Sequence, residues 1–434
     1  MNKRCLQITC MVFMISFTSI QAQSQTLYSL FDLARLANKH SQTIKIAQDD
    51  LYIAQLEKKR ALSVLVPKAT VYGNVLERKN EDLASPDTMA LGGKLTQSFT
   101  LNGKELIALN ITKDFIESKS FSLESIRAQY MLAVAQAYYN ILSAQRYLEI
   151  AQSDVERLST YRDSVKEKLI VGNVAKTDLF RAEAELSKSL TERVLSENKI
   201  FKTKAQLQNL VDMDDSYDLE KEPLSHLENY QCSLDQIKEI ALKNRVEIKE
   251  AAKNLEIARK TTKYNKSDYW PTLSLEAGYR ETDIEYKSGV TDVAYDTEDL
   301  YVSGELSFTF FDGGLRSATI RQKIADERKA QNTLELKKKA IILESENSYY
   351  DYESAKNTII NLEDELKSAQ ETLNAVNMQL EYGMADSIDA IDANSLLVSA
   401  QRRISDAQYT YYLAVLKIMY TKGELIEFLS QQGS

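Results

Sequence analysis

The sequence predicts a mostly α-helical protein with a small transmembrane β part, arranged as two tandem repeats. Residues 315–382 form a run of 68 residues without glycine or proline, and residues 104–171 form a second run of the same length. As an α-helix each run would be roughly 100 Å long, whereas a typical globular helix has only about 11–12 residues. A segment of alternating polar and apolar residues precedes each run. These observations predict two matched helical rods that each continue from a pair of β-strands.

The composition argues against several classes of function. Glycine (13) and proline (4) are scarce among the 434 residues, and the formal net charge is −9. Scarce helix breakers favour helices, and a negative charge argues against a nucleic-acid partner. The two histidines, His40 and His226, and the three cysteines leave little material for a metal site or a catalytic nucleophile. We therefore expect no enzyme activity, no cofactor and no metal.

The N-terminus has the pattern of an export signal. Lys3 and Arg4 precede a short apolar core at residues 11–17, and Ala22 is the expected cleavage point. Residues 1–22 are therefore interpreted as a signal peptide. No other stretch reaches the ~18–20 apolar residues of a transmembrane helix. Removal of the signal would leave Cys232 as the remaining cysteine, so no disulfide is expected within one mature chain.

The chain repeats itself at a nearly constant spacing of 204 to 211 residues, which predicts two copies of one supersecondary unit. The first repeat covers residues 23–222, the second covers residues 223–425, and residues 426–434 form a C-terminal tail. Matched pairs along the chain are Leu30 and Leu234, Pro67 and Pro271, Gly103 and Gly313, Tyr138 and Tyr349, Tyr139 and Tyr350, Gly172 and Gly383, and Asp178 and Asp389.

Each repeat is expected to begin with one continuous helix, which in the first repeat covers about residues 29–66. Pro67 and Pro271 end these helices, because proline disfavours helix in the residue before it. The remaining elements are placed as follows: strand pairs at about 68–101 and 272–311, polar loops within them at 77–90 and 281–300, long helices at about 104–171 and 315–382, and return helices at about 174–212 and 384–422.

The strand pairs alternate between apolar and polar residues. After Pro271, Leu273, Leu275, Ala277 and Tyr279 fall on one face of a strand. Its predicted partner, residues 301–311, places four apolar side chains on one face: Val302, Leu306, Phe308 and Phe310. About ten residues of such alternation are typical of a transmembrane β-strand with lipid on one side and water on the other. A soluble amphipathic hairpin would show the same pattern.

Both long runs carry a heptad seam, which predicts supercoiled helix packing. The tyrosine pairs at residues 138–139 and 349–350 are interpreted as packing residues rather than ligand-binding residues. The seams are Ile141, Ala144, Leu148, Ala151, Val155, Leu158, Arg162, Val165 and Leu169, and Tyr352, Ala355, Ile359, Leu362, Leu366, Ala369, Leu373, Val376 and Leu380.

Four strands are too few to close a membrane barrel, since the smallest barrels have about eight. An open sheet edge is not tolerated in lipid. If these strands cross a membrane, the barrel must therefore be shared among chains related by cyclic symmetry. The helices would then continue the ring as a tube of roughly 100 Å.

The chain resembles the TolC-like outer-membrane efflux factors over nearly its whole mature length. The resemblance rests on an ordered set of segments in both repeats rather than on one motif. These are Phe310-Phe311-Asp312-Gly313-Gly314 at the strand-to-helix junction, residues 169–178 with Ala182 at the first tip turn, and residues 382–393 at the second.

The resemblance implies a homotrimer with a 12-stranded barrel in outer-membrane lipid and a 12-helix tunnel in the periplasm. It implies two further partners, a periplasmic adaptor protein and an inner-membrane pump driven by protons or by ATP. The channel itself would be passive. Adaptor docking is expected at the tip turns, at Val171, Gly172, Asn173, Asp178, Gly383 and Met384. The strand-to-helix junctions are expected at Pro67, Gly103, Pro271, Asp312, Gly313 and Gly314.

Asp389 and Asp392 are the candidate pore gate. They lie three residues apart, so they share one helix face, and three chains would supply two rings of carboxylates, which select cations. Aspartates at these positions line the closed entrance in the resembling family. A solvated helix face would be the simpler interpretation. The family's tyrosine and arginine that tie the entrance closed are replaced by Leu380 and Ala385, so a different latch is expected.

Three alternatives remain. An exported structural or adhesive coiled-coil protein would explain the heptads and the signal, but not the strand pairs that recur in each repeat. An enzyme is disfavoured, because the sequence has no nucleophile–base pair, phosphate loop or metal cluster. A periplasmic adaptor is also rich in helical hairpins, but it normally carries one hairpin with soluble β-domains.

Overall fold

The computed structural model describes residues 26–77, 86–213, 217–221, 227, 230–286 and 293–431. The predicted signal peptide, with Cys5 and Cys10, and His226 lie outside these residues. The described chain contains two similar series of elements. The first series is β1 (Thr26–Tyr28), α1 (Leu30–His40), α2 (Gln42–Ser63), β2 (Lys68–Leu76), β3 (Pro86–Thr100), α3 (Lys104–Ile170) and α4 (Lys176–Val211). The second is β4 (Tyr217–Leu219), α5 (Leu234–Asn244), α6 (Val246–Lys266), β5 (Thr272–Tyr286), β6 (Val293–Ser307), α7 (Leu315–Glu381), α8 (Ser387–Lys422) and α9 (Leu425–Gln431).

The prediction of one continuous helix before each proline is wrong, because each helix breaks once. Ser41 separates α1 from α2 with φ −55° and ψ 124°, and Arg245 separates α5 from α6 with φ −57° and ψ 121°. The two residues occupy the same position of the repeat. One extended residue interrupts the helical hydrogen bonds without disturbing the apolar periodicity on either side. The Ser41 hydroxyl accepts a hydrogen bond from the Ile44 N–H (3.3 Å) and so caps α2.

The long helices α3 and α7 each contain 67 residues and end within one residue of the predicted bounds. α3 packs against α2 and α4, and α7 packs against α6 and α8. The predicted seams face these partners. Their buried members are Ile141, Ala144, Ala151, Leu158 and Val165 in α3, and Tyr352, Ala355, Leu362, Ala369 and Leu373 in α7.

α3 also joins the two repeats, because it contacts both α6 and α8. The main core lies where α1, α3 and α8 meet, and the Tyr139 and Tyr412 rings stack there with centroids 5.8 Å apart. Tyr138 and Tyr139 are buried, as expected from the sequence. Tyr350 is 59% exposed in the single chain, and its ring packs edge-on against the Tyr349 ring with centroids 5.6 Å apart.

The four long strands form one antiparallel sheet in the order β2-β3-β5-β6. The predicted loop over residues 281–300 is wrong, since β5 continues to Tyr286 and β6 already begins at Val293. In the same way β3 begins at Pro86, inside the predicted loop 77–90. Antiparallel strands pair through backbone hydrogen bonds. The acidic side chains of residues 281–286 and 293–300 therefore do not prevent strand formation.

The predicted partner strand was also placed too late. β6 ends at Ser307, opposite Thr272, so Phe308, Phe310 and Phe311 lie beyond the strand. The residue that would pair next is Pro271, which has no N–H to donate to a ladder.

Two small features lie outside the prediction. β1 pairs with β4 in parallel, with Leu27 opposite Asp218. The predicted C-terminal tail contains α9, and Phe428 of α9 packs against Phe31 of α1 with ring centroids 5.9 Å apart. None of the described helices combines the length and the apolar character needed to cross a membrane.

Candidate functional site

Each long helix ends in a tight turn at the tip of a helical hairpin. Gly172 and Gly383 have φ values of +78° and +70°. The residue after each glycine donates its N–H back into the last helical turn, from Asn173 to the Lys168 carbonyl (2.9 Å) and from Met384 to the Gln379 carbonyl (2.8 Å). This is the Schellman pattern, which favours glycine because a left-handed residue is required. The tip turns therefore form where the sequence places them.

The predicted gate aspartates lie at the start of α8. Asp386 caps this helix, and its carboxylate accepts from the Ile388 N–H (2.7 Å) and the Asp389 N–H (3.1 Å). The Asp389 carboxylate in turn accepts from the Asp386 N–H (2.9 Å). Asp389 is therefore a capping residue as well as an exposed charge. Asp392 lies one turn further on the exposed side of α8, while Ala390 and Ala393 point into the chain.

The first repeat has the capping aspartate of this arrangement but not the second aspartate. The Asp178 carboxylate accepts from the Ala175 N–H (3.0 Å) at the start of α4. Arg181, which is exposed, occupies the position that corresponds to Asp392. The two hairpin tips thus share a capping geometry but differ in charge.

A cleft of about 560 Å³ separates the two tips and is lined by both turns. The Tyr161 hydroxyl of α3 lies 2.6 Å from the Ser387 hydroxyl of α8, and it also donates to the Ser387 carbonyl at 3.3 Å. Burial, together with the negative charges of Asp178 and Asp386, raises the pKa of Tyr161 above its ordinary value. The hydroxyl therefore remains protonated and able to donate at neutral pH.

A buried polar cluster lies further along the same interface. Asp154 of α3 accepts from the Ser189 hydroxyl (2.6 Å) and from the Asn394 side-chain amide (2.7 Å). Arg157 donates to the Asn394 carbonyl oxygen at 2.9 Å. α3, α4 and α8 therefore meet through one hydrogen-bonded cluster, which links the hairpin of the first repeat to that of the second.

The side chains at the family's tyrosine and arginine positions, Leu380 and Ala385, do not take part in this cluster. Leu380 contributes its backbone carbonyl to the Lys168 ammonium (3.5 Å), and Ala385 lines the cleft. Sequence reasoning missed the residues that do connect the hairpins, above all Tyr161 and Asn394. Asn394 had a detectable signal, because it is a polar residue at a helix position between buried Ala390 and Leu397.

The junction of the second repeat is built around Asp312. Its carboxylate accepts from the Gly314 N–H (3.0 Å) and the Arg316 N–H (2.8 Å), and it pairs with the Arg316 guanidinium (2.9 Å). Gly313 and Gly314 have φ values of +67° and +91°. The Arg316 side chain also donates to the carbonyls of Asp268 (3.1 Å) and Thr309 (2.6 Å). Arg316 is thus a junction residue that the sequence motif did not include.

The junction of the first repeat differs in detail. Gly103 has φ +73° and donates to the Thr100 carbonyl (2.9 Å). The Pro271 carbonyl accepts from the Leu101 N–H (3.1 Å), and Pro67 directly precedes β2. Lys104 pairs with Asp268, whose carbonyl is bonded to Arg316. The two junctions are therefore tied together.

The sheet that continues from these junctions has two different faces. On one face Lys94 pairs with Glu276 (2.9 Å), which also accepts from the Tyr301 hydroxyl (2.9 Å). On the other face apolar side chains are exposed in the single chain, among them Val71, Leu95, Leu275, Val302 and Leu306. Within the described ranges, no three His, Cys, Asp or Glu side chains come together to hold a metal ion.

Comparisons with known proteins agree with this geometry. The family model described as outer membrane efflux protein matches residues 238–423. Outer membrane protein TolC of Escherichia coli (strain K12) is 24% identical over 443 aligned residues, covering 98% of this chain and 87% of TolC. The protease secretion protein PrtF of Dickeya chrysanthemi is 22% identical, covering 68% of this chain and 64% of PrtF.

Solved structures share the fold at low sequence identity. The CmeC outer membrane channel of Campylobacter jejuni superposes with a TM-score of 0.79 at 16% identity, covering 93% of this chain and 89% of CmeC. The two-faced sheet, the matched long helices and the paired tips are thus the features of a known architecture. Residues 238–423 thus match the outer membrane efflux protein family, and nearly the whole chain is similar in sequence to TolC and in fold to outer membrane channels.

Proposed function

We propose that the chain is one protomer of a trimeric outer-membrane channel-tunnel, the exit duct of a tripartite efflux or type I secretion system. The observation that carries the proposal is a four-stranded sheet with one apolar face, continued by helices of 67 residues. Such helices are roughly 100 Å long, enough to cross a bacterial periplasm. The duct is passive and performs no chemistry on its cargo.

The partners follow from this position. The β part lies in outer-membrane lipid and the helical part in the periplasm, where a periplasmic adaptor connects it to an inner-membrane pump. The pump, driven by protons or by ATP, supplies the energy. A protease secretion protein and an outer membrane channel are among the proteins similar to this chain, and a passive duct of this design serves either class of pump.

Adaptor docking is assigned to the tip turns. Large apolar side chains at these turns are exposed, with Val171 68% and Met384 72% accessible. Apolar groups at an exposed tip suit a surface that another protein covers. The predicted docking positions Gly172, Asn173, Asp178 and Gly383 shape the same two turns.

The gate is assigned to Asp389 and Asp392. Both are exposed on α8 at the mouth formed by the tips. In a trimer they place six carboxylates around a narrow entrance, and such rings attract cations and bind divalent ions. The hairpin-to-hairpin links through Tyr161 and through Asp154 hold α8 in place beside α3.

Purified protein in planar lipid bilayers tests the function and the gate together. Wild-type chains are expected to form cation-selective channels that divalent cations block. The double variant Asp389→Asn/Asp392→Asn is expected to lose the divalent block and much of the selectivity, because asparagine keeps a hydrogen-bond acceptor but removes the charge. Asp178→Asn is the matched control, since Asp178 holds the equivalent capping position in the first repeat.

Two results would contradict these assignments separately. Unchanged selectivity and block in the double variant would remove Asp389 and Asp392 from the gate and leave the channel intact. Wild-type protein that stays soluble without detergent and never conducts would instead favour the exported coiled-coil structural or adhesive protein.

A further inference from the structure

The pairing of β3, β5 and β6 assigns every side chain of these strands to one of two faces. β3 pairs with β5 from Thr100–Thr272 to Pro86–Tyr286, and β5 pairs with β6 from Thr272–Ser307 to Tyr286–Val293. Neither ladder contains a slip, so alternate residues keep the same face along the whole strand. We call the face that carries Leu275, Tyr279 and Val302 the outer face. We call the face that carries Glu276 and Tyr301 the inner face.

On β5 and β6 the polarity of the two faces exchanges near the far end of the sheet. Up to Tyr279 and Leu300 the outer face of these two strands is apolar, but from Glu281 and Glu298 onward it carries acidic side chains, while β3 still presents Leu91 and Met89 beside them. The inner face changes in the opposite direction. Beyond the Arg280–Asp299 ion pair (3.2 Å) it carries Thr282, Thr297, Ile284, Tyr295, Tyr286 and Val293.

The exchange marks the edge of the membrane. Residues 272–280 are nine residues, and a tilted strand needs about 9–11 residues to cross the hydrocarbon layer. Tyr279 lies at this boundary, where membrane strands favour aromatic residues. The outer ends of β5 and β6 therefore extend beyond lipid, by about 3.4 Å for each of their last five or six residues.

The acidic outer face of these ends must be in water. Glu281 lies directly opposite Glu298, Asp283 opposite Asp296, and Asp87 opposite Glu285. Like charges at directly opposed positions destabilise a sheet, and solvent reduces their repulsion. Water therefore lies on the outer side, and the apolar inner side must find another partner.

The inner side is an ordered apolar surface. The Tyr286 and Tyr295 rings stack with centroids 6.1 Å apart and planes 22° apart, and Ile284 lies directly opposite Tyr295. This surface continues the inner face that carries Lys94, Glu276 and Tyr301. The inner face becomes a channel lumen only in a closed barrel, so the inference rests on the proposed function.

We propose that the outer ends of β5 and β6 form an apolar constriction at the outer mouth of the channel, in which Ile284, Tyr286 and Tyr295 of three protomers face the same lumen. The apolar inner surface of each protomer faces the same surface of the two other protomers across the lumen. Six tyrosines and three isoleucines then narrow a passage that is otherwise polar, and they limit the entry of large hydrophilic solutes from outside.

Cysteine scanning tests the alternation of faces directly. Cysteines replace Ile284, Tyr286 or Tyr295 on the inner face, and Asp283, Glu285 or Asp296 on the outer face, in a Cys232→Ser background. A charged, membrane-impermeant methanethiosulfonate is added from the loop side of channels in planar bilayers. Modification at the inner positions is expected to change the single-channel current by about twofold, and modification at the outer positions to leave it unchanged. Equal effects on both faces, or no effect at the inner face, would overturn the constriction.

A second variant does not depend on thiol chemistry. Tyr286→Ala/Tyr295→Ala is expected to raise single-channel conductance by about twofold or more, since the narrowest segment widens. The control Glu285→Gln/Asp296→Asn alters the same strands on the outer face and is expected to conduct as the wild type. A double variant that forms trimers and conducts as the wild type contradicts the constriction. Wild-type protein that never conducts contradicts the proposed function instead.

Discussion

At the scale of single residues, Arg245 shows how a helix break is stabilised from within. Its side chain is only 5% exposed, and it bonds to Glu247 (2.8 and 2.9 Å) and Glu344 (3.2 Å) and lies over the Tyr420 ring at 4.5 Å. Glu247 also accepts from the Ser125 hydroxyl of α3 (3.1 Å). At the equivalent break in the first repeat, the Ser41 hydroxyl caps the following helix instead. The two repeats thus share a backbone geometry but not its chemistry.

The Arg245→Met variant is expected to be less stable by about 3–5 kcal/mol, because it leaves the Glu247 carboxylate, which is only 11% exposed, without its charged partner. Thermal unfolding followed by circular dichroism in detergent measures the loss. Arg245→Met/Glu247→Gln is the control, and it should recover much of the stability, since no buried charge remains. A single variant as stable as the wild type would show that the pair contributes nothing.

The difference in stability between the wild type and Arg245→Met depends on pH through the pKa of Glu247. Burial by itself would raise that pKa, but hydrogen bonds and attraction from Arg245 outweigh burial and hold it below its usual value. A folded pKa below the unfolded one stabilises the protein above the unfolded pKa, about 4.3. That contribution is lost as the pH falls through the folded pKa. The gap between wild type and Arg245→Met should therefore narrow in acid, and a gap that widens would contradict the pairing.

At the scale of elements, the two helical hairpins are joined near their tips by side chains rather than by chain connectivity. Tyr161 reaches from α3 to Ser387 at the start of α8, and Asp154 reaches from α3 to Ser189 of α4 and Asn394 of α8. The turns themselves depend on backbone geometry, since Gly172 and Gly383 have open space around them and a positive φ. Turn shape and hairpin contact are therefore set by different residues.

Tyr161→Phe is expected to cost about 0.5–1.5 kcal/mol, the usual net contribution of one hydrogen bond. The loss should be local, so amide hydrogen exchange of residues 387–390 at the start of α8 should become faster. Tyr382→Phe is the matched control, because Tyr382 lies at the same tip with 76% of its surface exposed. Equal exchange rates in the two variants would show that the hydroxyl does not hold α8.

At the scale of the whole molecule, the single chain is incomplete as the membrane channel proposed above. β2 and β6 are the edge strands of the four-stranded sheet, and apolar side chains on its outer face, such as Val71 (82%) and Val302 (82%), are exposed. An unpaired edge is not tolerated in lipid, so both features require further copies.

Light scattering in detergent, corrected for bound detergent, is therefore expected to give the mass of three chains, each at most 49.3 kDa before removal of the predicted signal peptide. The reason is that three copies supply twelve strands, which is enough to close a barrel. Protein extracted from the outer membrane as a stable monomer would contradict the shared barrel.

The sequence by itself determined the elements that depend on local physics. The absence of glycine and proline from the two long runs predicted the bounds of α3 and α7, and the heptads predicted their buried faces. Gly172 and Gly383 marked the tip turns, and the repeat spacing showed two matched halves. Local rules failed where backbone pairing overrides composition, as in residues 281–286 and 293–300, which are acidic yet form strands.

Only the tertiary structure decided which distant side chains meet. Tyr161 and Ser387 are 226 residues apart, and Asp154 and Asn394 are 240 apart, so no local pattern joins them. The same holds for the strand register. A shift of one residue would turn every side chain of β5 and β6 to the other face, and the pairing of Ile284 with Tyr295 exists only because the whole ladder is held in place.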